Sequence, residues 1–182
     1  AQFDHALVQH CRDMGITIHE GCAFESITHH DTNGITVRVE SLGELTVDYV
    51  VAADGMWSPV RKSLGLSTPG YLGEWHAFRQ YIGNVHGSAN EKLHIWFDKD
   101  LLPGYAWSFP LPDNRVNFGF GILRTSDRST KYMNDLWRDL LTRPYITETL
   151  GEHFVPEDRH TAWPIPARIH DAVRSSGRVL FI

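Results

Sequence analysis

Apolar and polar residues alternate along much of the chain, and this alternation predicts β-strands. Ile35, Val37 and Val39 are separated by polar residues, so this segment should be a strand buried on one face only. Residues 29–34 end in Asn-Gly and predict the hairpin turn before it. Residues 49–53 are continuously apolar, which is typical of a strand covered on both faces. Further strands are predicted over residues 16–18, 22–28, 75–85, 92–98, 105–109 and 116–122.

Outside residues 58–65, three segments are predicted to be helices. The first carries an apolar stripe made of Phe3, Leu7, Cys11 and Met14. Asp4 is its predicted N-cap and Gly15 its end. A second helix is predicted from about Ser129 to Pro144, and a short third one over residues 145–150. The sequence therefore predicts an α+β fold, with an antiparallel-rich mixed sheet and flanking helices.

Length, composition and charge exclude several classes of protein. The 182 residues suffice for one domain or two small subdomains, and 42% of them are hydrophobic, which argues against disorder. The net charge of −5 shows no basic excess for nucleic acid. No apolar run approaches the roughly 18 residues of a membrane helix. Two cysteines form no disulfide framework, so we expect a reducing, cytoplasmic setting and two core thiols.

Both ends of the chain are expected to be cut from a longer protein. The first residues are already helical in pattern, without an initiator methionine. Residues 177–182 form an apolar strand that stops in mid-run, and exposed strand edges invite aggregation. The alternative is a complete protein whose last strand is tied into a sheet.

A predicted loop after residues 49–53 carries the first candidate site. Asp54 follows the strand at its carboxyl end, where ligand-binding groups gather in α/β architecture. Ser58 and Pro59 should begin a short helix that Gly65 ends. Arg61 could hold a phosphate or fix Asp54. The alternative is an ordinary strand–turn–helix in which Asp54 caps backbone amides.

A strand pair with rings and glycines forms the second candidate site. Tyr105, Trp107 and Phe109 should project from one face of their strand as an aromatic wall for an apolar ligand. Gly119 and Gly121 share one face of the neighbouring strand, which leaves room for a flat ring or a lipid chain. The alternative is a core strand with aromatic packing and a bulge.

The sequence predicts neither a metal site nor a hydrolase nucleophile. His5 and His10 are five residues apart, off the spacing of a helical zinc pair, and His29 and His30 are adjacent. No Gly-x-Ser-x-Gly elbow occurs. No catalytic residue is assigned.

The predicted loop resembles the DG motif of FAD-dependent hydroxylases and related flavoproteins. The matching pattern is Ala53-Asp54-Gly55-x-x-Ser58-x-Val60-Arg61-x-x-Leu64-Gly65. In those families the loop lies beside the flavin pyrophosphate and ribityl chain. The resemblance therefore implies that Asp54, Gly55, Ser58 and Arg61 bind FAD. Residues 177–182 are similar to the strand before the family's Gly-Asp motif, and the family's GxGxxG would precede residue 1.

The pattern of aromatic residues and glycines in the second candidate site restricts the resemblance to one group of flavoproteins. Tyr105-x-Trp107-x-Phe109-Pro110, followed by Gly119-x-Gly121, resembles the YxWxFP…GxG signature of geranylgeranyl reductases. These enzymes use reduced FAD to saturate isoprenoid double bonds. The resemblance implies that the six residues named in the signature line the substrate side.

The resemblance also implies an organisation: the central, substrate-binding part of an FAD-dependent hydroxylase-like fold. Residues 1–70 would be a partial FAD-binding segment, residues 71–176 the substrate-binding sheet with helices, and residues 177–182 a strand returning to the FAD domain. Without the GxGxxG helix, whose N-terminus grips the pyrophosphate, we expect the isolated chain to bind FAD weakly or not at all.

Two other functions stay open. The DG motif is shared with hydroxylases and halogenases, so an FAD-dependent monooxygenase fits it too. A non-catalytic module whose curved sheet holds an apolar ligand is the other alternative. The expected partners are an apolar small molecule and, in the intact enzyme, NAD(P)H or another electron donor. Contact with a membrane surface is conceivable for an enzyme of lipids, although no basic amphipathic helix is evident.

Overall fold

The computed structural model describes residues 2–168 and 170–182. It divides the chain into two units, Ala1–Thr68 with Val173–Ile182, and Pro69–Ala172. The helices are α1 (Gln2–Asp13), α2 (Pro59–Ser63), α3 (Thr130–Leu140) and α4 (Pro144–Leu150), with a 3-10 turn at Ser88–Asn90. The strands are β1 (Phe24–His30), β2 (Ile35–Val39), β3 (Gly43–Val47), β4 (Val50–Ala52), β5 (Trp75–Gly83), β6 (His94–Trp96), β7 (Tyr105–Leu111), β8 (Arg115–Leu123), β9 (Val155–Pro156), β10 (Thr161–Ile165), β11 (Ser175–Ser176) and β12 (Val179–Phe181).

Two small sheets build the first unit. One is the antiparallel meander β1-β2-β3, and its hairpin turn is held by Asp31, whose Oδ1 accepts hydrogen bonds from the N–H groups of Asn33 and Gly34. The other has the order β11-β12-β4, in which β12 and β4 run parallel. The buried core consists of Ile35, Val37, Ala52, Val60, Val179 and Phe181.

Several sequence-based expectations for the first unit are wrong. The described residues 16–18 lie outside any strand. The apolar stretch 49–53 is not covered on both faces, because Tyr49 is 63% and Val51 56% exposed in the structure. The apolar stripe of α1 is also uncovered, and no described residue of this helix is buried. Cys11 and Cys22 are half-buried rather than core residues.

A six-stranded antiparallel sheet forms the second unit, in the order β10-β5-β8-β7-β6 with β9 beside β5. Helices α3 and α4 cover one of its faces, since Trp137 of α3 packs against Phe118 and Phe120 with ring centroids 5.5 and 6.1 Å away. The predicted helix start is confirmed: Ser129 Oγ accepts a hydrogen bond from the Tyr132 N–H at 3.3 Å. The opposite face of the sheet has no helix of this unit in the described core.

Every helix in residues 2–168 and 170–182 is too short or too polar to span a bilayer. The same residues contain no cluster of three or more histidine, cysteine, aspartate or glutamate side chains arranged to hold a metal ion.

Candidate functional site

Two hydrogen bonds from backbone N–H groups of α2 to side chains of the preceding loop fix the segment between β4 and α2. Asp54 Oδ2 accepts a hydrogen bond from the Val60 N–H at 3.1 Å. Ser58 is the N-cap of α2 as predicted, and its buried Oγ accepts from the Arg61 N–H at 2.9 Å. Gly55 has φ 74°, and no atom lies within 4 Å of the position that a Cβ would take there. The backbone at Gly55 is therefore open to an approaching group.

Arg61 has a different partner from the one that its sequence position suggested. Its guanidinium lies over the ring of Phe181 in β12, 4.0 Å from the ring centroid. The Asp54 carboxylate is held by the backbone of Val60 instead. Of the two roles that the sequence left open for Arg61, pairing with Asp54 is not seen among the described residues, because the parallel pairing of β4 and β12 places an aromatic ring beside the arginine. The other role, binding a phosphate, stays a prediction.

The carboxyl ends of two parallel strands meet next to this loop. Phe181 of β12 is the register partner of Ala52, the last residue of β4, and the Ile182 N–H donates to the Ala52 carbonyl at 3.1 Å. Asp54 thus follows the carboxyl edge of a parallel pair, where open α/β sheets bind their ligands.

We predict that Ser58→Ala lowers the free energy of unfolding of the chain by about 1 kcal/mol, because the Arg61 N–H at the start of α2 loses its acceptor in a buried position. Urea unfolding followed by fluorescence measures this loss. Ser67→Ala, at an exposed loop position, is the matched control and should leave stability unchanged. Equal stability of the two variants would contradict the capping role.

The aromatic residues of β7 form a row on one face of the six-stranded sheet. The ring of Trp107 lies 6.0 Å from that of Tyr105 and 6.0 Å from that of Phe109, centroid to centroid. Phe97 extends the row, 5.7 Å from Tyr105. Pro110 does not belong to this row. It pairs with the fully buried Val116 of β8, and both side chains lie on the opposite face of the sheet, which the helices cover.

Gly119 and Gly121 of β8 lie beneath this row, and the space above Gly119 is already occupied. Gly119 pairs with Trp107, and a Cβ at Gly119 would lie 2.4 Å from Trp107 Cζ2. The indole of Trp107 therefore lies directly on the Gly119 backbone, and its Nε1–H donates to Asn117 Oδ1 at 3.3 Å. The expectation that both glycines leave room for a ligand is wrong for Gly119, because the protein's own ring fills that room. Gly121 has only ordinary contacts, at 3.7 and 3.9 Å from its hypothetical Cβ.

Strands β5 and β10 complete the uncovered face, and local sequence patterns do not predict this arrangement. Ala77 and Arg79 of β5 pair with the two glycines of β8, so their side chains share the face of Trp107. Trp163 of β10 pairs with Ala77 and is 55% exposed. The alternation within residues 75–83 was a signal for these positions, but strand neighbours that are distant in sequence cannot be read from it.

Two open depressions lie away from the predicted site residues. One, of about 580 Å³ in the second unit, is lined by His76, Arg124, Thr125, Ser126, Arg128, Ser129 and Thr130. Its arginines already donate to backbone carbonyls, Arg124 to Leu72 and Gly73, and Arg128 to Asp100 and Leu102. The other, of about 570 Å³ in the first unit, is lined by His30, Asp31, Thr32, Tyr49, Gly177 and Arg178.

Comparison with known proteins gives consistent matches. The model of the FAD binding domain family matches residues 1–180. Menaquinone reductase of Mycobacterium tuberculosis is 30% identical over 132 residues, which is 65% of this chain and 29% of that protein. Digeranylgeranylglycerophospholipid reductase of Methanococcus vannielii is 34% identical over 106 residues, which is 56% of this chain and 27% of that protein. The chain thus spans less than a third of the length of these relatives.

Solved structures share the fold at low sequence identity. A geranylgeranyl bacteriochlorophyll reductase-like protein from Thermoplasma acidophilum has a TM-score of 0.71 and 16% identity, over 100% of this chain and 45% of that one. The halogenase PltM has a TM-score of 0.69 and 17% identity, over 99% of this chain and 39% of that one.

Proposed function

Because this chain belongs to the FAD-binding domain family, we propose that it is part of an FAD-dependent oxidoreductase that reduces carbon–carbon double bonds of an isoprenoid or a similar apolar substrate. The cofactor, FAD, and the α+β fold shared with a halogenase and with an aklavinone hydroxylase agree with the expectations from the sequence. The observation that carries the proposal is the uncovered aromatic face around Trp107. Relatives named as reductases of menaquinone and of an isoprenoid phospholipid support it.

The first unit would hold the cofactor at the loop between β4 and α2. Gly55 leaves its backbone open, Asp54 lies at the carboxyl edge of two parallel strands, and Ser58 keeps the first turn of α2 in place. The open backbone at Gly55 would admit the flavin pyrophosphate, and the Asp54 carboxylate would accept hydrogen bonds from hydroxyl groups of the cofactor. Arg61 would contribute positive charge while its guanidinium stays stacked on Phe181. When bound and reduced, FAD supplies the hydride for one carbon of the double bond, and the other carbon receives a proton.

The second unit would hold the substrate. The rings of Tyr105, Trp107 and Phe109 present an apolar surface that would remove a hydrocarbon chain from water. Gly121 has no side chain and would leave space beside these rings. Pro110 and Gly119 would not contact the substrate. Pro110 would contribute as part of β7, the strand that carries the rings, and Gly119 by allowing the Trp107 indole to lie flat on the sheet. The electron donor of the whole enzyme would be NAD(P)H or another reductant.

The proposal is tested on the full-length flavoprotein that carries this chain. Its FAD is reduced without oxygen, a polyprenyl substrate is added, and flavin reoxidation is followed by absorbance while mass spectrometry counts the hydrogens gained. We expect two hydrogens per reduced double bond. Trp107→Ala should slow reoxidation at least about tenfold, since it removes the central ring on which the substrate chain would lie. Trp107→Phe should retain most of the rate, and both variants should keep their FAD.

One other function has a specific observation in its favour. The fold match to the halogenase PltM extends over 99% of the chain, so an FAD-dependent monooxygenase or halogenase is the second candidate. The same experiment separates the two. A product that appears only when oxygen is admitted, and that carries an added hydroxyl or halogen, would contradict the reductase proposal.

A further inference from the structure

Arg79 lies on the uncovered face of the six-stranded sheet, among the rings. It is exposed in the middle of β5 and pairs with Gly119 of β8 on one side and with Thr161 of β10 on the other. Since Gly119 in turn pairs with Trp107, a single row across four strands places the Arg79 side chain and the Trp107 indole on the same face.

The charge of Arg79 is not compensated by a carboxylate. Its guanidinium lies 5.3 Å from the centroid of the Tyr81 ring. Arg115 lies at the same distance from that ring, but it is neutralised by Glu157 through hydrogen bonds of 2.6 Å to Oε1 and 2.5 Å to Oε2. Within residues 2–168 and 170–182, no ion pair or hydrogen bond engages the Arg79 guanidinium. Arg79 therefore carries a positive charge on this face, and its N–H groups are available to donate hydrogen bonds to a ligand.

A lone cation on an apolar face favours one kind of ligand. Covering a guanidinium with hydrocarbon removes its hydration and is costly, unless the covering molecule brings an acceptor. An oxyanion satisfies the guanidinium with charge-assisted, often bidentate hydrogen bonds. A neutral chain would lie on the rings of β7 but would leave Arg79 unpaired.

We propose that Arg79 binds the anionic head group of an amphipathic substrate whose apolar chain lies on the Tyr105–Phe109 ring row. The inference rests on the proposed function and deepens it: the substrate class becomes an isoprenoid that carries a phosphate or a carboxylate. The Arg124 and Arg128 depression is less suited to this task, because both arginines already donate to backbone carbonyls. Arg79 is thus a specificity-determining residue, and it takes no part in the hydride transfer.

The test uses the full-length flavoprotein that carries this chain and three probes with the same short isoprenyl chain: a phosphate, a carboxylate and an alcohol. Quenching of tryptophan fluorescence measures each dissociation constant, at low and at high salt. We expect the phosphate and the carboxylate to bind about tenfold more tightly than the alcohol, and high salt to reduce this preference. Arg79→Gln should bring both anions to the affinity of the alcohol. Arg138→Gln, at an exposed arginine of α3, is the matched control and should change nothing.

The outcomes distinguish the two proposals. A preference for the phosphate alone, lost in Arg79→Gln, would support the inference and identify the head group as a phosphate. Equal affinities for all three probes, or anion binding unchanged in Arg79→Gln, would overturn the inference and leave the apolar substrate face intact. Failure of the folded flavoprotein to bind any of the probes would instead overturn the substrate face itself, and with it the proposed function.

Discussion

Gly119→Ala is expected to lower the free energy of unfolding of the chain by about 1–3 kcal/mol, because the added methyl group overpacks the sheet. It would lie 2.4 Å from Trp107 Cζ2 and 2.5 Å from the carbonyl oxygen of Phe78, so both a ring and a neighbouring backbone must move. The Trp107 indole could then no longer lie flat, and the ring row would lose its central member. Urea unfolding monitored by tryptophan fluorescence measures the loss.

Gly121 provides the matched control two residues away on the same strand face. A Cβ there would meet its nearest atoms at 3.7 and 3.9 Å, which is ordinary contact. Gly121→Ala should therefore change stability by no more than about 0.5 kcal/mol. If both variants were equally stable, the tight approach of Trp107 to Gly119 would not exist in solution.

Arg143, in the short connection between α3 and α4, joins four side chains, and its replacement should have the other large effect. Its guanidinium, in a side chain that is only 17% exposed, donates to Asp98 at 2.5 Å, to Asp100 at 2.6 Å and to Asp139 at 2.6 Å. Burial by itself would lower the pKa of Arg143, but the hydrogen bonds to Asp100, Tyr145 and the other two carboxylates raise it above its ordinary value. The arginine therefore stays charged and holds three acidic side chains together.

Arg143→Met should destabilise the chain by about 2–4 kcal/mol, since three carboxylates are left close together without their cation. Arg138→Met, at an exposed position of α3 with a surface ion pair, should cost about 0.5 kcal/mol or less. Both values come from urea unfolding near neutral pH. A loss at Arg143 no larger than that at Arg138 would mean that the cluster does not stabilise the fold.

The pH dependence of the same variant tests the cluster independently. The hydrogen bond from Arg143 holds the pKa of Asp100 below its ordinary value of 3.8. A carboxyl whose pKa is lowered by folding stabilises the protein above pH of about 4 and loses this contribution as the pH falls further. The difference in unfolding free energy between the original chain and Arg143→Met should therefore shrink below about pH 4.

Local sequence patterns, which combine hydrophobic periodicity with capping residues, predicted much of the local structure. The helix that begins after Ser129, the cap at Ser58 and the common face of Tyr105, Trp107 and Phe109 all follow from them. A short-range hydrogen bond or the two-residue period of a strand decides each of these features, so neighbours in sequence contain the whole cause. The stretch at residues 49–53 shows where this reasoning fails: an apolar run indicates a strand, but not how much of it is covered.

Local sequence patterns therefore assign the residues of the longer strands to a face and locate the loop that carries Asp54. The contacts between these residues follow from the fold alone: Trp107 lies on the backbone of Gly119, Arg61 on Phe181, and Arg79 on the face of the rings. Strand pairing joins residues far apart along the chain, as Arg79 pairs with Gly119 on one side and Thr161 on the other. The period of a strand gives the direction of a side chain, whereas register and neighbouring strands give its partners.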